Sequence, residues 1–125
     1  NEKINAKEDV KRNISFWSFP DILIVSFKRF TSSLRKDQRL VTFPLENLDI
    51  RTYATGYHKD QYIYDLCGVC NHSGNVMGGH YTAYVKNEDK EWYCFNDTHV
   101  NKIVDRSKII STYAYCLFYK KKTFE

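Results

Sequence analysis

The fold is decided by residues 78–97, which read GGHYTAYVKNEDKEWYCFND. Two segments of this stretch, His80 to Lys86 and Glu91 to Phe95, are rich in the aromatic and β-branched residues that strands favour. The polar residues between them, 87–90, are typical of a turn. The sequence therefore predicts a β-hairpin with a histidine at the start of its first strand.

The length of the turn decides which residue faces His80 across the hairpin. A four-residue turn, 87–90, places Asp97 opposite His80, and a three-residue turn, 87–89, places Asn96 there. Directly opposed Cβ atoms lie ~5 Å apart, within reach of a side-chain hydrogen bond. In either register we expect the histidine to meet an amide or a carboxylate.

A histidine held in this way is half of a catalytic dyad. The amide or carboxylate fixes the tautomer and the ring plane, so that the second ring nitrogen faces a nucleophile. With a cysteine nucleophile the imidazole pairs with a thiolate, and a neutral Asn is then sufficient as the orienting group. Gly78 and Gly79 have no Cβ and let another backbone approach, which favours a substrate that is narrow at the scissile bond.

These residues resemble the histidine box of the ubiquitin-specific proteases, a family of papain-like cysteine proteases. The similarity continues in order over about residues 14–120, through the segments FWSFPDIL (16–23), FKRF (27–30), VTFPL (41–45), YDL (64–66) with NH (71–72), and AYCLFY (114–119). The resemblance implies an α+β fold, the antiparallel β-rich palm half of a papain-like domain. The chain would be the C-terminal part of one catalytic domain, in which residues 1–14 are a polar lead-in, 15–120 the palm sheet and 121–125 a tail.

The resemblance also implies roles for individual residues. His80 would be the general base and acid, Asn96 the third member of the triad, and Asp97 a neighbouring acidic residue that can share this task. Residues 71–79 would form a loop that lines a channel for the ubiquitin tail, and 31–40 a second loop near it. The residues expected to bind the tail are Asn71, His72, Gly78, Gly79 and Tyr81.

The chain departs from the family in one respect. The family's nucleophile lies in a Gly-Asn-Thr-Cys box that opens a helix, and this chain has no such box. None of its four cysteines precedes a predicted helix. We therefore expect the N-terminal half of the same domain to supply the nucleophile, and the chain alone to be inactive. The alternative is a catalytically inactive ubiquitin-binding or scaffold relative.

Composition limits the other classes of function. No apolar run, Ile22 to Val25 and Tyr113 to Tyr119 included, is long enough to span a membrane. The net charge of +4 is mild, and the aromatic residues alternate with apolar ones as core residues do, so a nucleic-acid-binding domain is a weaker third hypothesis.

Four cysteines without the density of a disulfide scaffold favour an intracellular protein, cytoplasmic or nuclear. Cys67 and Cys70 form a Cys-x-x-Cys, but a structural zinc site needs four ligands, so no metal and no cofactor is expected.

Local patterns predict the remaining elements. They are a central strand over Asp21 to Phe27, a short strand over Arg39 to Pro44, an irregular or helical turn over Leu45 to Tyr53, a long strand over Tyr62 to Cys70, a short helix capped by Asp105 over Arg106 to Ile110, and a final strand over Tyr113 to Tyr119.

Overall fold

The computed structural model describes residues 14–75 and 77–123. Its strands form one antiparallel sheet: β1 (Ile22–Ser26), β2 (Leu48–Asp49), β3 (Ile63–Asn75), β4 (Gly78–Lys86), β5 (Trp92–Asn96), β6 (His99–Ile103) and β7 (Ala114–Lys121). The strand order is β1-β7-β3-β4-β5-β6, and β2 pairs with β3. The connections hold short 3-10 helices at Arg51–Tyr53, Lys59–Gln61 and Arg106–Ile109. The predicted antiparallel, β-rich α+β class is confirmed.

Parts of the predicted terminal segments lie outside the described residues. The polar lead-in is described only at Ile14, and the tail only over 121–123. Lys121, expected to open the tail, is the last residue of β7. None of the helices in the described residues is long and apolar enough to cross a membrane.

The last strand of the chain lies inside the sheet, between β1 and β3. Within the described residues β1 therefore lies at an edge, and the prediction of a central strand is wrong. Leu23 and Val25 pack against the core, whereas Ile22 is 46% and Ile24 59% exposed. A β-branched apolar run predicts a strand, but it does not reveal how many neighbours that strand has, because pairing depends on residues far away in the chain.

The hydrophobic core covers one face of the sheet. Its largest fully buried side chains are Tyr64, Tyr119, Leu66, Ile109, Leu117 and Val69. The two tyrosine hydroxyls donate hydrogen bonds to backbone carbonyls, Tyr64 to Pro20 at 2.6 Å and Tyr119 to Pro44 at 2.8 Å. Burial raises the pKa of each of these hydroxyls to about 12. The two tyrosine hydroxyls are thus satisfied by the irregular segments that precede β1 and β2.

The short strand predicted over Arg39 to Pro44 does not form. Instead, a buried side chain satisfies the backbone of this region, because Nη1 of Arg29 donates to the carbonyls of Asp37 and Arg39, each at 2.9 Å. Nε of Arg29 donates to the carbonyl of Ala114 in β7 at 2.6 Å. The carbonyl of Arg39, the first residue of the predicted strand, is thus bound by a side chain and not by a neighbouring strand. The irregular or helical turn expected over Leu45 to Tyr53 is confirmed only in its last part, as the 3-10 helix Arg51–Tyr53, because Leu48–Asp49 forms the strand β2 and pairs with β3.

The prediction of a loop over residues 71–79 is wrong, because most of this segment belongs to two paired strands. β3 continues to Asn75 and β4 begins at Gly78, so that these residues pair as the end of a second hairpin. Glycine is depleted in strands, which is why three glycines in this segment indicated a loop. Here Gly74 has a φ of +110°, and a Cβ on Gly79 would overlap the side chain of His72. These two glycines therefore allow a tight turn and a close approach within a hairpin.

Several local predictions are confirmed at the other end of the chain. Asp105 caps the helix Arg106–Ile109, because its Oδ1 accepts a hydrogen bond from the Ser107 backbone N–H at 3.0 Å. The final strand forms as β7. The strand β6 was not predicted, since its sequence, HVNKI, mixes polar and apolar residues without a clear alternation. It forms because β5 offers it a free edge beyond a tight turn.

Candidate active site

His80 and Asn96 contact each other at the end of the β4–β5 hairpin. Nε2 of His80 lies 2.7 Å from Oδ1 of Asn96. An amide oxygen only accepts hydrogen bonds, so the ring donates its Nε2 proton. In a neutral imidazole the other nitrogen, Nδ1, is then unprotonated. The arrangement leaves a base with a fixed tautomer, whose lone pair is available to a third group.

Neither register considered for this hairpin is the one that forms. Trp92 pairs with Lys86, so the turn has five residues, 87–91. The last pair at this end of the hairpin is Ala83 with Phe95, so the next pair in the same register is Thr82 with Asn96. Thr82 lies on the same face of β4 as His80. The hydrogen bond is therefore diagonal. Diagonal neighbours lie ~7–8 Å apart, a distance that two medium-sized polar side chains span together.

Asp97 does not hold the imidazole in this structure. It is exposed and occupies the turn between β5 and β6, with a left-handed φ of 52°. The hydrogen bond of the His80 ring goes to its neighbour, Asn96. The amide thus orients the histidine, and the carboxylate stands beside the pair.

A groove of about 300 Å³ runs along this end of the sheet. Its lining residues are Asn71, His72, Ser73, His80, Thr82, Tyr84, Cys94, Asn96 and Tyr113. The structure thus brings together four residues expected in the site, whereas Gly78, Gly79, Tyr81 and Asp97 lie outside this lining. Sequence reasoning missed Ser73, Thr82, Tyr84, Cys94 and Tyr113. The strand pattern carried a signal for Thr82, Tyr84 and Cys94, because residues an even number apart on a strand share a face with His80 or Asn96.

The side chain of Asn71 is buried in this groove and is only 3% exposed. Within the described residues neither its Oδ1 nor its Nδ2 has a hydrogen-bond partner. Leaving such a group unsatisfied costs about 1–3 kcal/mol. The wall of the groove therefore contains an unpaired donor group and an unpaired acceptor group.

His72 is 4% exposed, and its side chain lies on the face of the sheet opposite to His80, because His72 pairs with Tyr81. Its Nδ1 lies 3.0 Å from Nζ of Lys36, and its ring packs on Tyr81 with centroids 4.7 Å apart. Burial, and then the charge of Lys36, lower the pKa of His72. The ring is therefore held neutral, and its Nδ1 accepts the hydrogen bond.

The cysteines are all free thiols and all lie within the described residues. Burial raises the pKa of Cys67, Cys70 and Cys94. Cys94 lines the groove, but it pairs with Tyr84, four residues from His80, which is roughly 13 Å along the strand. No cluster of three or more His, Cys, Asp or Glu side chains in residues 14–75 and 77–123 is arranged to hold a metal ion.

The remaining cysteines lie on the far face of the sheet or farther along it. Cys70 pairs with Ala83, an odd number of residues from His80, so its side chain is on the opposite face of the sheet. Cys116 pairs with Cys70 and shares that face. Cys67 lies still farther along β3. The chain's own thiols therefore do not meet the imidazole.

The whole pattern matches a known family. The family model described as ubiquitin carboxyl-terminal hydrolase matches residues 1–119. This chain belongs to that family. Ubiquitin carboxyl-terminal hydrolase 9 of Arabidopsis thaliana is 42% identical over 114 residues, covering 88% of this chain and 12% of the relative. Ubiquitin carboxyl-terminal hydrolase 31 of Homo sapiens is 38% identical over 136 residues, covering 88% of this chain and 10% of the relative.

Solved structures are similar to the same part of the chain. The SAGA Ubp8/Sgf11/Sus1/Sgf73 DUB module matches with a TM-score of 0.75 and 29% identity, covering 94% of this chain and 28% of the other. A variant of this module bound to monoubiquitin matches with a TM-score of 0.73 and 31% identity, covering 85% and 24%. The chain thus spans about a tenth of the length of these two curated relatives and about a quarter of these solved chains.

Proposed function

We propose that this chain supplies the histidine half of a thiol-dependent deubiquitinase, which hydrolyses peptide or isopeptide bonds at the C-terminal Gly of ubiquitin. The hydrogen bond between His80 and Asn96 at an open groove carries this proposal. Membership of the ubiquitin carboxyl-terminal hydrolases, and the similarity to a DUB module bound to monoubiquitin, support ubiquitin as the substrate.

In this proposal the imidazole moves protons at defined atoms. Asn96 accepts the Nε2 proton and fixes the tautomer, so that Nδ1 takes the proton of a cysteine thiol. The thiolate attacks the carbonyl of the ubiquitin C-terminal Gly, and His80 returns the proton to the leaving amine. The same nitrogen then activates a water molecule that hydrolyses the thioester. Asp97 would add negative charge beside the imidazolium that forms.

The nucleophile is proposed to lie in an N-terminal segment of the same catalytic domain. The positions of the four cysteines support this, because Cys94 lies roughly 13 Å along the sheet from His80 and Cys70 and Cys116 lie on the other face. The chain on its own is therefore proposed to be inactive. Free thiols throughout also fit the proposed cytoplasmic or nuclear location.

The tail of ubiquitin is proposed to bind at Asn71 and His72, which line the groove, and at Gly78, Gly79 and Tyr81, which lie outside its lining. The unpartnered amide of Asn71 can pair with a backbone peptide group, which has one donor and one acceptor. No atom of the described residues lies within 4 Å of a Cβ placed on Gly78, which leaves room beside this strand for another backbone. Tyr81 is 59% exposed and offers an aromatic face. The chemistry requires no cofactor.

A ubiquitin probe with a C-terminal electrophile tests the proposal in the full-length protein. We expect it to label one cysteine outside these 125 residues, and His80→Ala to abolish labelling. His58→Asn is the matched control, since His58 lies outside the groove and Asn tolerates its left-handed φ of 63°. Binding of ubiquitin without labelling would favour the inactive scaffold. Labelling of one of the chain's own four cysteines would refute the assignment of the nucleophile.

A further inference from the structure

Lys36 connects the segment after β1 to the strand that borders the groove. Its Nζ donates a hydrogen bond of 2.7 Å to the backbone carbonyl of His72, and lies 3.0 Å from Nδ1 of the same residue. Within residues 14–75 and 77–123, both hydrogen bonds of this ammonium go to His72. One lysine thus fixes both the backbone and the ring of a buried histidine.

Contacts of the neighbouring residue Asp37 with Arg29 fix the position of Lys36. Asp37, the next residue, donates its backbone N–H to the carbonyl of Arg29, and its own carbonyl accepts from the Arg29 guanidinium at 2.9 Å. Arg29 is 3% exposed and also bonds to Ala114 in β7. Burial, and then the nearby Arg29, lower the pKa of Lys36. The backbone contacts of Asp37 with Arg29 thus hold Lys36 next to His72 in spite of the neighbouring cation.

His72 in turn contacts the residue that precedes the candidate catalytic histidine. Lys36 can only donate, so Nδ1 of His72 accepts and the ring proton lies on Nε2. A Cβ on Gly79 would overlap this Nε2, which shows that the ring lies directly against the β4 backbone. Phe30 and Tyr81 pack on the ring with centroids 6.0 and 4.7 Å away. The ring therefore contacts both Tyr81 and the backbone at the start of β4.

We propose that Lys36 is a positioning residue, which holds the His72 ring against Gly79 and thereby sets the place of His80 relative to its nucleophile. This inference rests on the proposed function, because it concerns the same histidine. Lys36 touches neither His80 nor Asn96. It acts through the packed path Lys36, His72, Gly79, and a displacement of about 1 Å at a catalytic group costs on the order of 10²-fold in rate.

The tautomer of His72 is a direct readout that needs no activity. In the full-length protein with ¹⁵N-labelled histidine, we expect the His72 ring to show an unprotonated Nδ1 and a protonated Nε2. In Lys36→Met, which keeps the length of the side chain and removes its donors, we expect this preference to weaken and amide hydrogen exchange at 78–82 to quicken about tenfold. A protonated Nδ1 in the wild-type protein would overturn the proposal even if Lys36→Met failed to fold.

Kinetics separate positioning from stability. With active sites counted by the ubiquitin probe, Lys36→Met should lower kcat on the order of tenfold and change KM less than kcat. Lys36→Arg keeps the charge and the donors, so it should recover most of kcat. Lys59→Met, at an exposed lysine of the 3-10 helix Lys59–Gln61, is the control. An unchanged kcat per active site in Lys36→Met would overturn the inference, whereas absence of probe labelling in the wild-type protein would instead refute the proposed function.

Discussion

Replacing Gly79 with alanine tests the close packing on which the site depends. A Cβ at this position would overlap Nε2 of His72 and the carbonyl oxygen of Ser73, and would lie 3.0 Å from Cε1 of His72. The neighbouring Gly78 offers a matched control, because no atom of the described residues lies within 4 Å of a Cβ placed there. The same methyl group is therefore added one residue apart, once into packed atoms and once into open space.

The expected magnitudes follow from these two environments. Forcing a methyl group into a packed region costs about 1–3 kcal/mol, because neighbouring side chains and backbone must shift. In the open position, Gly78→Ala changes stability by less, with a gain of about 0.4–1 kcal/mol from the restricted unfolded chain where the backbone conformation suits alanine. We therefore expect Gly79→Ala to be the less stable variant by about 1–4 kcal/mol.

Two measurements on the full-length protein check this difference. Chemical denaturation gives the free energy of unfolding of each variant, and amide hydrogen exchange over residues 72–82 gives the local opening of the β3–β4 hairpin. Each 1.4 kcal/mol of local destabilisation corresponds to about tenfold faster exchange. Equal free energies and equal exchange rates in the two variants would refute the reasoning, because the ring of His72 would then not lie against Gly79.

Other predictions concern the candidate dyad and the core. Asn96→Ala should lower kcat per active site by a factor of about 10² to 10⁴, because the imidazole loses its fixed tautomer. Asn96→Asp keeps the acceptor and should retain most of kcat. Equal hydrolysis of a fluorogenic ubiquitin amide by wild type and Asn96→Ala would contradict the assignment. The folded-state pKa of Tyr64 and of Tyr119 is raised to about 12, so the unfolded chain releases these protons first and stability should fall as pH rises from about 10 towards about 12. Denaturation at several alkaline pH values checks this, and a slope that persists undiminished when both residues are Phe would show another cause. Leu66→Ala, at a side chain with 0% exposure, should lower the free energy of unfolding by about 2–5 kcal/mol, a loss that thermal denaturation can measure; a loss below 1 kcal/mol would mean that the site collapses around the smaller residue.

Local sequence patterns predicted the structure correctly where contacts between neighbouring residues determine it. The strands β4, β5 and β7 follow from aromatic and β-branched runs, and Asp105 caps the helix that its position predicted. Such features depend on contacts within a few residues, so they can be read before the fold is known. The pairing of His80 with an amide from the next strand follows in the same way, because a hairpin joins residues that are close in the chain.

Predictions failed where partners distant in sequence decide the structure. The segment 39–44 has the pattern of a strand, but Arg29 satisfies the backbone carbonyl of Arg39 at its start. The glycines of 71–79 indicated a loop, but β7 and the packing of His72 on Gly79 stabilise a hairpin there. A hairpin register also depends on turn geometry, and the left-handed φ of 65° at Lys90 accommodates the five-residue turn.

The sequence by itself determined the chemistry available to this protein: a histidine and an amide on adjoining strands, glycines beside them, and the motifs of a known family. Only the tertiary structure decided which of these residues lie in contact. It selected Asn96 over Asp97 through a diagonal contact, buried the amide of Asn71 in the groove, and brought Lys36 to His72 across 36 residues. The physical reason is that residue types are set along the chain, whereas distances between side chains are set by the pairing of strands and the packing of a common core.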